Sequence, residues 1–240
     1  MKPTLKFGTP NAKLKKMTKR LGVRLATFTL PAGYTCPGAK DCLAFADRET
    51  GKVKDGADTD FRCFMASAEA RSPSLRKAVW HNLELLKDAL KNGVKACADL
   101  ICDSLPDADV YRVHVGGDYF SKKYLQAWVE VATRNPDKIF YSYSKSLRFL
   151  SDVMRPKNLV LTASRGGKYD ELIDQHGWKE ALVVYSEKEA EEKGLEIDHD
   201  DSHAAFGSEN FALLIHGTQP KGSMASQALQ AIKKLAKGVA

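Results

Sequence analysis

Residues 110–118 read VYRVHVGGD, and Ser121 then stands in a capping position ahead of an apolar-periodic run to about Thr133. The β-branched and aromatic residues of VYRVHV, stopped by Gly116-Gly117-Asp118, read as a strand that turns through a glycine loop into a helix. The unit recurs. Strands over 139–143, 159–163 and 181–185 precede helical stretches near 147–154, 170–176 and 187–193. A last strand over 211–215 precedes a helix near 225–237. Upstream, VRLATFTL (residues 23–30), stopped by Pro31-Ala32-Gly33, is the first strand. Strands alternating with helices imply parallel pairing and right-handed crossovers. Six units exceed a small two-layer sandwich and fall short of a closed eight-fold barrel, so the expected fold is α/β, a partial, open parallel β/α barrel. A doubly wound parallel sheet is the alternative. Both hold ligands beyond the carboxyl ends of their strands.

The 240 residues are 43% hydrophobic and 28% charged, enough for one sizeable core, and exclude disorder and collagen-like repeats. No composition break divides the chain, so a single domain over 1–240 is expected. No apolar run approaches the roughly 18 residues of a membrane span, and lysines and prolines stand where a secretory signal would be apolar. A cytoplasmic protein is expected. The net charge of +7 is uneven: Lys2, Lys6, Lys13, Lys15, Lys16, Lys19, Arg20 and Arg24 meet no acid in the first 24 residues, leaving 29 basic against 30 acidic residues elsewhere. A basic arm of about residues 1–22 could meet the phosphates of a nucleic acid, or could simply be solvated.

Between the first strand and 110–118 the chain carries its cysteines. Cys36 and Cys42 lie in the loop after the first strand, residues 46–60 read as a polar exposed excursion, and Cys63 follows it. Leu75, Val79, Leu83, Leu86 and Leu90 mark an amphipathic helix from Ser74, its candidate cap, to Asn92. Five cysteines do not read as a disulfide framework in a reducing compartment. Cys36, Cys42 and Cys63 could converge as three soft ligands for an iron–sulfur cluster or zinc, with Lys40 and Arg62 offsetting the charge. A buried free cysteine is also an ordinary core residue, which is the alternative reading. Cys97 and Cys102 share a helical stretch but are rotated apart on it, which suits core positions. As fourth ligand they come first, with His114 behind, and an exogenous group is the remaining choice.

The remaining candidates surround the strand ends. Gly116 and Gly117 would let a ligand approach the backbone, and the Asp118 carboxylate could accept bonds from an amine or hydroxyl. Strand alternation puts Arg112 and His114 on one face, as if lining a wet cavity. Lys145 and Arg165 lie in short polar loops that resemble anion sites. Neither HExxH, G-x-S-x-G nor G-x-G-x-x-G is present, and residues 217–223 lack the GK[ST] of a P-loop.

The ordered motifs LPAG at 30–33, TCPGA at 35–39 with Cys42, FRCF at 61–64 with Ala66-Ser67 and Glu69-Ala70, and RVHV at 112–115 with Gly117-Asp118-Tyr119-Phe120 and Trp128 resemble the bacteriophage gene product 88-like proteins over roughly residues 8–170. That resemblance implies a phage-encoded iron–sulfur protein in the host cytoplasm, with a core sheet like the barrel of the radical S-adenosylmethionine superfamily. It puts the cluster ligands on Cys36, Cys42 and Cys63. Gly116-Gly117-Asp118 is similar to the Gly-Gly-Glu with which radical enzymes hold the methionine amino group. The three cysteines are not spaced as C-x3-C-x2-C, a departure from that superfamily.

Two expectations follow. The first is a protein holding one [4Fe–4S] cluster beside a small-ligand cavity lined by Arg112, His114, Gly116, Gly117, Asp118, Lys145 and Arg165, performing redox or radical-type chemistry with S-adenosylmethionine as a candidate ligand. The second is a non-enzymatic module, clamped by a cluster or zinc, whose arm meets nucleic acid. A phosphate-handling enzyme without metal is a third reading that pairs no nucleophile with a base.

Overall fold

The computed structural model describes residues 3–238. Helix α1 (Ala12–Leu21) leads into β1 (Leu25–Thr27), a hairpin of β2 (Ala44–Ala46) and β3 (Val53–Asp55), and three helices, α2 (Phe64–Arg71), α3 (Pro73–Lys91) and α4 (Val94–Ser104). Strands and helices then alternate: β4 (Val110–Arg112), α5 (Lys122–Arg134), β5 (Ile139–Ser144), α6 (Leu147–Leu150), β6 (Leu159–Ser164), α7 (Glu171–His176), β7 (Glu180–Val184) and α8 (Glu187–Glu192). The chain finishes with β8 (Glu196–Ile197), α9 (Ser202–Phe206), β9 (Phe211–Leu214) and α10 (Met224–Gly238).

The main sheet has seven parallel strands in the order β1-β4-β5-β6-β7-β9-β8. The first six run across it in chain order, so each crossover steps the same way and the sheet curls into a half-barrel. A doubly wound sheet would reverse direction at a switch point, and this order has no such reversal among them. The seventh strand, β8, is two residues long and pairs only with β9, too short to show as a period-two pattern.

The convex face is covered by α3, α4 and α5, which bury Leu83, Leu86, Ile101, Trp128 and Val131 against Phe28, Tyr111 and Phe140. The concave face packs against α1 and α9 through Leu14, Met17, Ala204 and Ala205. The arm is therefore partly structural. Asn11 caps α1, its Oδ1 accepting from Leu14 N at 3.0 Å, and Gly22 ends it at φ 67°. Lys15, Lys16 and Lys19 stay on the exposed side.

Three local expectations need correction. The excursion at 46–60 carries the turn and second strand of the β2–β3 hairpin, and the turn is fixed by Asp47 Oδ1 accepting from Glu49 N, Thr50 N and the Thr50 hydroxyl. The cap of α3 is Ser72, two residues before Ser74, because Pro73 supplies a first helical residue that needs no amide partner. Strand β4 ends at Arg112, since His114 adopts φ 67° and breaks the alternation.

Candidate functional site

Cys36, Cys42 and Cys63 come together at the carboxyl end of the half-barrel. After β1 the chain turns at Gly33, where φ is 74° and a Cβ would stand 2.5 Å from the Ala44 carbonyl oxygen. The cysteine loop then lies across the ends of β5 and β6. Ala39 bridges Gly167, Gly38 O accepts from Lys168 N at 2.9 Å, and Asp41 N donates to Gly166 O at 3.1 Å. Cys63 arrives from the other side as the residue preceding α2. Its segment is fastened to the loop after β9: Gln219 Oε1 accepts from Arg62 N at 2.7 Å, Gln219 Nε2 donates to Arg62 O at 3.0 Å, and the rings of Phe64 and His216 lie 4.6 Å apart.

All three thiols are partly buried, and burial pushes each pKa up, that of Cys63 to about 12. After burial, Cys36 feels Asp118, Cys63 and Cys42; Cys63 feels Cys42; and Cys42 feels Lys145, which favours its thiolate. Backbone N–H groups also favour thiolate, from Gly33 at Cys36 and from Ala66 and Met65 at Cys63. The cation serving the cluster of sulfurs is thus Lys145. Arg62 is held by Asp55 through bonds of 2.8 and 2.5 Å, and Lys40 lies exposed beside Asp41.

The other candidate residues occupy built positions. Asp118, buried, accepts from Tyr119 N (2.7 Å), Ser144 Oγ (2.7 Å), Lys145 N (2.8 Å) and Ser146 N (3.1 Å), so its carboxylate braces the loop after β5. Lys145 Nζ donates to Ser164 O and Oγ and to Arg165 O, tying β5 to β6. Arg165 turns outward to Glu180 and Asp174. Gly116 is covered by Met65 and Gly117 by Thr35 and Leu30.

Arg112 and His114 diverge, contrary to the alternation argument. Arg112 enters the concave side, 2.5 Å from Asp201 and over the Tyr143 ring. Asp201 also meets Lys13 at 2.7 Å and Tyr141 Oη at 3.1 Å. His114 faces the convex core among Phe28, Tyr119 and Tyr124; its Nε2 lies 3.0 Å from the Tyr124 hydroxyl, and burial lowers its pKa to about 3. Cys97 is sealed in that core. Cys102 lies 3.8 Å from Asn135 Nδ2, near the amino ends of the strands, so both helical cysteines stand apart from the other three.

Glu69, which falls within one of the quoted motifs, is a polar core residue that its motif alone does not mark as buried. It is fully buried on α2; its Oε1 accepts from Ala32 N at 2.8 Å, and its Oε2 has no partner. Burial raises its pKa to about 7. The signal in the sequence was a lone acid among small apolar residues in FMASAEAR.

Among the described residues, no three His, Cys, Asp or Glu side chains are set to hold a single metal ion. A single ion needs every donor roughly 2.0–2.3 Å from one point. A cubane cluster offers each thiolate its own iron, so its ligands stand further apart than those of a single ion. Among the described residues no helix is long and apolar enough to cross a membrane.

Comparison with known proteins gives a family but no described activity. The chain is 30% identical over 120 residues to the Gene 88 protein of Mycobacterium phage L5, covering 47% of this chain and 44% of that protein. It is 29% identical over 120 residues to the Gene 88 protein of Mycobacterium phage D29, covering 47% of this chain and 43% of that protein. These matches span less than half the length of either relative. No solved structure matches. The family model for gene product 88 matches residues 4–235, nearly the whole chain, and the protein belongs to the gene product 88 family.

Proposed function

We propose that this protein binds one [4Fe–4S] cluster through Cys36, Cys42 and Cys63 and uses it in redox or radical-type chemistry on a small ligand. The observation that carries the reading is the gathering of three chain-distant sulfurs at the carboxyl end of a curled parallel sheet, where such folds hold ligands. When bound, the cluster would supply or accept a single electron. The protein's own groups prepare for it. Lys145 offsets negative charge at Cys42, the amides of Gly33, Met65 and Ala66 face two of the sulfurs, and Asp118 holds the loop that carries Lys145. With Cys97 and Cys102 remote, the fourth position falls to an exogenous group.

Anaerobic purification with iron and sulfide analysis, visible and electron paramagnetic resonance spectra, and each cysteine-to-serine variant tests the reading. Loss of iron on changing Cys36, Cys42 or Cys63, and none on changing Cys97 or Cys102, is the expected pattern. Iron-free protein after anaerobic reconstitution, or iron unaffected by those three changes, ends it. The radical-type version further predicts that S-adenosylmethionine perturbs the cluster signal.

The second reading, a metal-clamped nucleic-acid module, draws on the exposed Lys15, Lys16 and Lys19 of α1. It predicts nucleic-acid affinity that falls steeply with salt and is lost when these three lysines become glutamine.

A further inference from the structure

The last helix, α10, stands apart from the cores of the protein: among the described residues, none of its apolar side chains belongs to an apolar cluster of the body. Helical spacing puts every apolar residue from Met224 to Leu235 in one arc of about 160°, and Ser226, Gln227, Gln230, Lys233 and Lys234 in the other. The body covers one flank of the apolar arc, where Ala225 is buried and Leu229 and Ile232 are half-buried. The other flank is open. Met224 is 74% and Leu235 70% exposed, and Ala228 and Ala231 join them into one strip along the helix, the second of these also exposed.

The charge around this strip has one sign. Lys221, Lys233, Lys234 and Lys237 follow Glu209, and no acid stands after it. Lys221, Lys233 and Lys234 are exposed, and among the described residues no carboxylate pairs with any of them. A second copy of the helix would set lysines against lysines. A nucleic acid would meet the lysines but leave Met224 and Leu235 in water. An anionic bilayer answers both features, because the apolar side chains enter the acyl boundary while the lysines, on their long stems, stay among the headgroup phosphates.

We propose that α10 lies on an anionic phospholipid surface, with Met224 and Leu235 in the acyl boundary and Lys233 and Lys234 on the headgroup phosphates. Its 15 residues cover about 22 Å, short of the roughly 30 Å hydrocarbon core, so the helix rests on the bilayer and does not cross it. Ala225 keeps its place against the body, and docking requires no part of the fold to open. Neither the cysteines nor the lysines of α1 take part, so this inference stands or falls apart from both readings of the function.

The test is co-sedimentation of the full-length protein with vesicles of phosphatidylcholine alone and of phosphatidylcholine mixed with phosphatidylglycerol. Binding to the anionic vesicles is expected at least about tenfold more tightly than to the neutral ones, weakening as salt is raised. Lys233→Gln with Lys234→Gln should weaken it by about tenfold or more, and Met224→Ser with Leu235→Ser by about tenfold. All four side chains are exposed, so the thermal midpoints of these variants should match wild type. Absence of binding to the anionic vesicles at millimolar lipid overturns the proposal. So does binding that the Met224→Ser, Leu235→Ser protein keeps in full, which would make the contact purely electrostatic. Binding that survives the α10 lysine changes and disappears when Lys15, Lys16 and Lys19 become glutamine belongs to α1, and overturns it equally.

Discussion

Gly38 and Lys145 are in backbone contact: a Cβ on Gly38 would stand 1.8 Å from the Lys145 carbonyl oxygen and 2.5 Å from its carbonyl carbon. The cysteine loop therefore rests directly on the loop after β5, with no side chain between them. Gly38→Ala has to push the loop off that rest, which costs about 1–3 kcal/mol of overpacking and displaces Cys36 and Cys42. Urea unfolding should show that loss, and iron loading should fall with it; wild-type stability and loading in the variant would show that the contact is dispensable.

Asp118 is a brace by the same geometry. Its two oxygens receive four donors, three of them backbone amides of Tyr119, Lys145 and Ser146. Asp118→Asn turns an NH2 toward those donors and strands at least one of them, for a loss of about 1–3 kcal/mol. Denaturant titration of the metal-free protein measures it. A variant as stable as wild type would mean that the carboxylate is free for a ligand, as the motif comparison with Gly-Gly-Glu implied.

Much of this architecture was legible in the residues and some of it was not, for physical reasons. The strand-loop-helix period gave six strands of the sheet, because each pairs with neighbours on both sides or lies under helices and reads as an apolar run. Strand β8 escaped because two residues at an edge carry no period. The loop that carries Cys36 and Cys42 was readable because proline and glycine mark it after the first strand. The cavity residues were not. Alternation requires extended backbone, and His114 at φ 67° sends Arg112 and His114 to opposite faces. Nor does a residue type reveal which partners its head group already holds: Lys145 donates to Ser164 and Arg165, and Arg165 pairs with Glu180 and Asp174. The helix α1 was hidden by charge, since Leu14 and Met17 are the only two side chains of that helix fully buried among its lysines.

Glu69 makes stability fall as pH rises. Its pKa is raised by burial from 4.5 to about 7. Between those values the folded protein holds a proton that the unfolded chain has released, so roughly 3 kcal/mol is lost across the interval. His114 works in the opposite direction, its lowered pKa of about 3 costing stability as pH falls below 6.5. The two slopes overlap and largely mask each other in wild type. Glu69→Gln should unmask the His114 slope: the variant gains on wild type progressively from pH 4.5 to 7, measured as the difference between their unfolding free energies. Parallel curves for the two proteins would refute the assignment.

Asp201 is shared by two cations on the concave face, Lys13 and Arg112. Burial opposes its charge, but Arg112 and Lys13 hold its carboxyl below the usual range, with Arg112 almost as enclosed as Asp201 itself. Asp201 also sits at φ 69°, where asparagine is tolerated nearly as well, so Asp201→Asn removes the charge without adding backbone strain. Arg112 then becomes a buried cation that has lost its paired acid and keeps only the more distant Asp198, for a loss of up to about 3–5 kcal/mol. Lys13→Met should cost about 0–1 kcal/mol, because a third of the Lys13 side chain is exposed and Arg112 still satisfies the acid. Adding Lys13→Met to Asp201→Asn should recover part of the larger loss, since it removes a cation that Asn no longer balances. A double variant whose loss is the full sum of the single losses would mean that Lys13 and Arg112 are not coupled through Asp201.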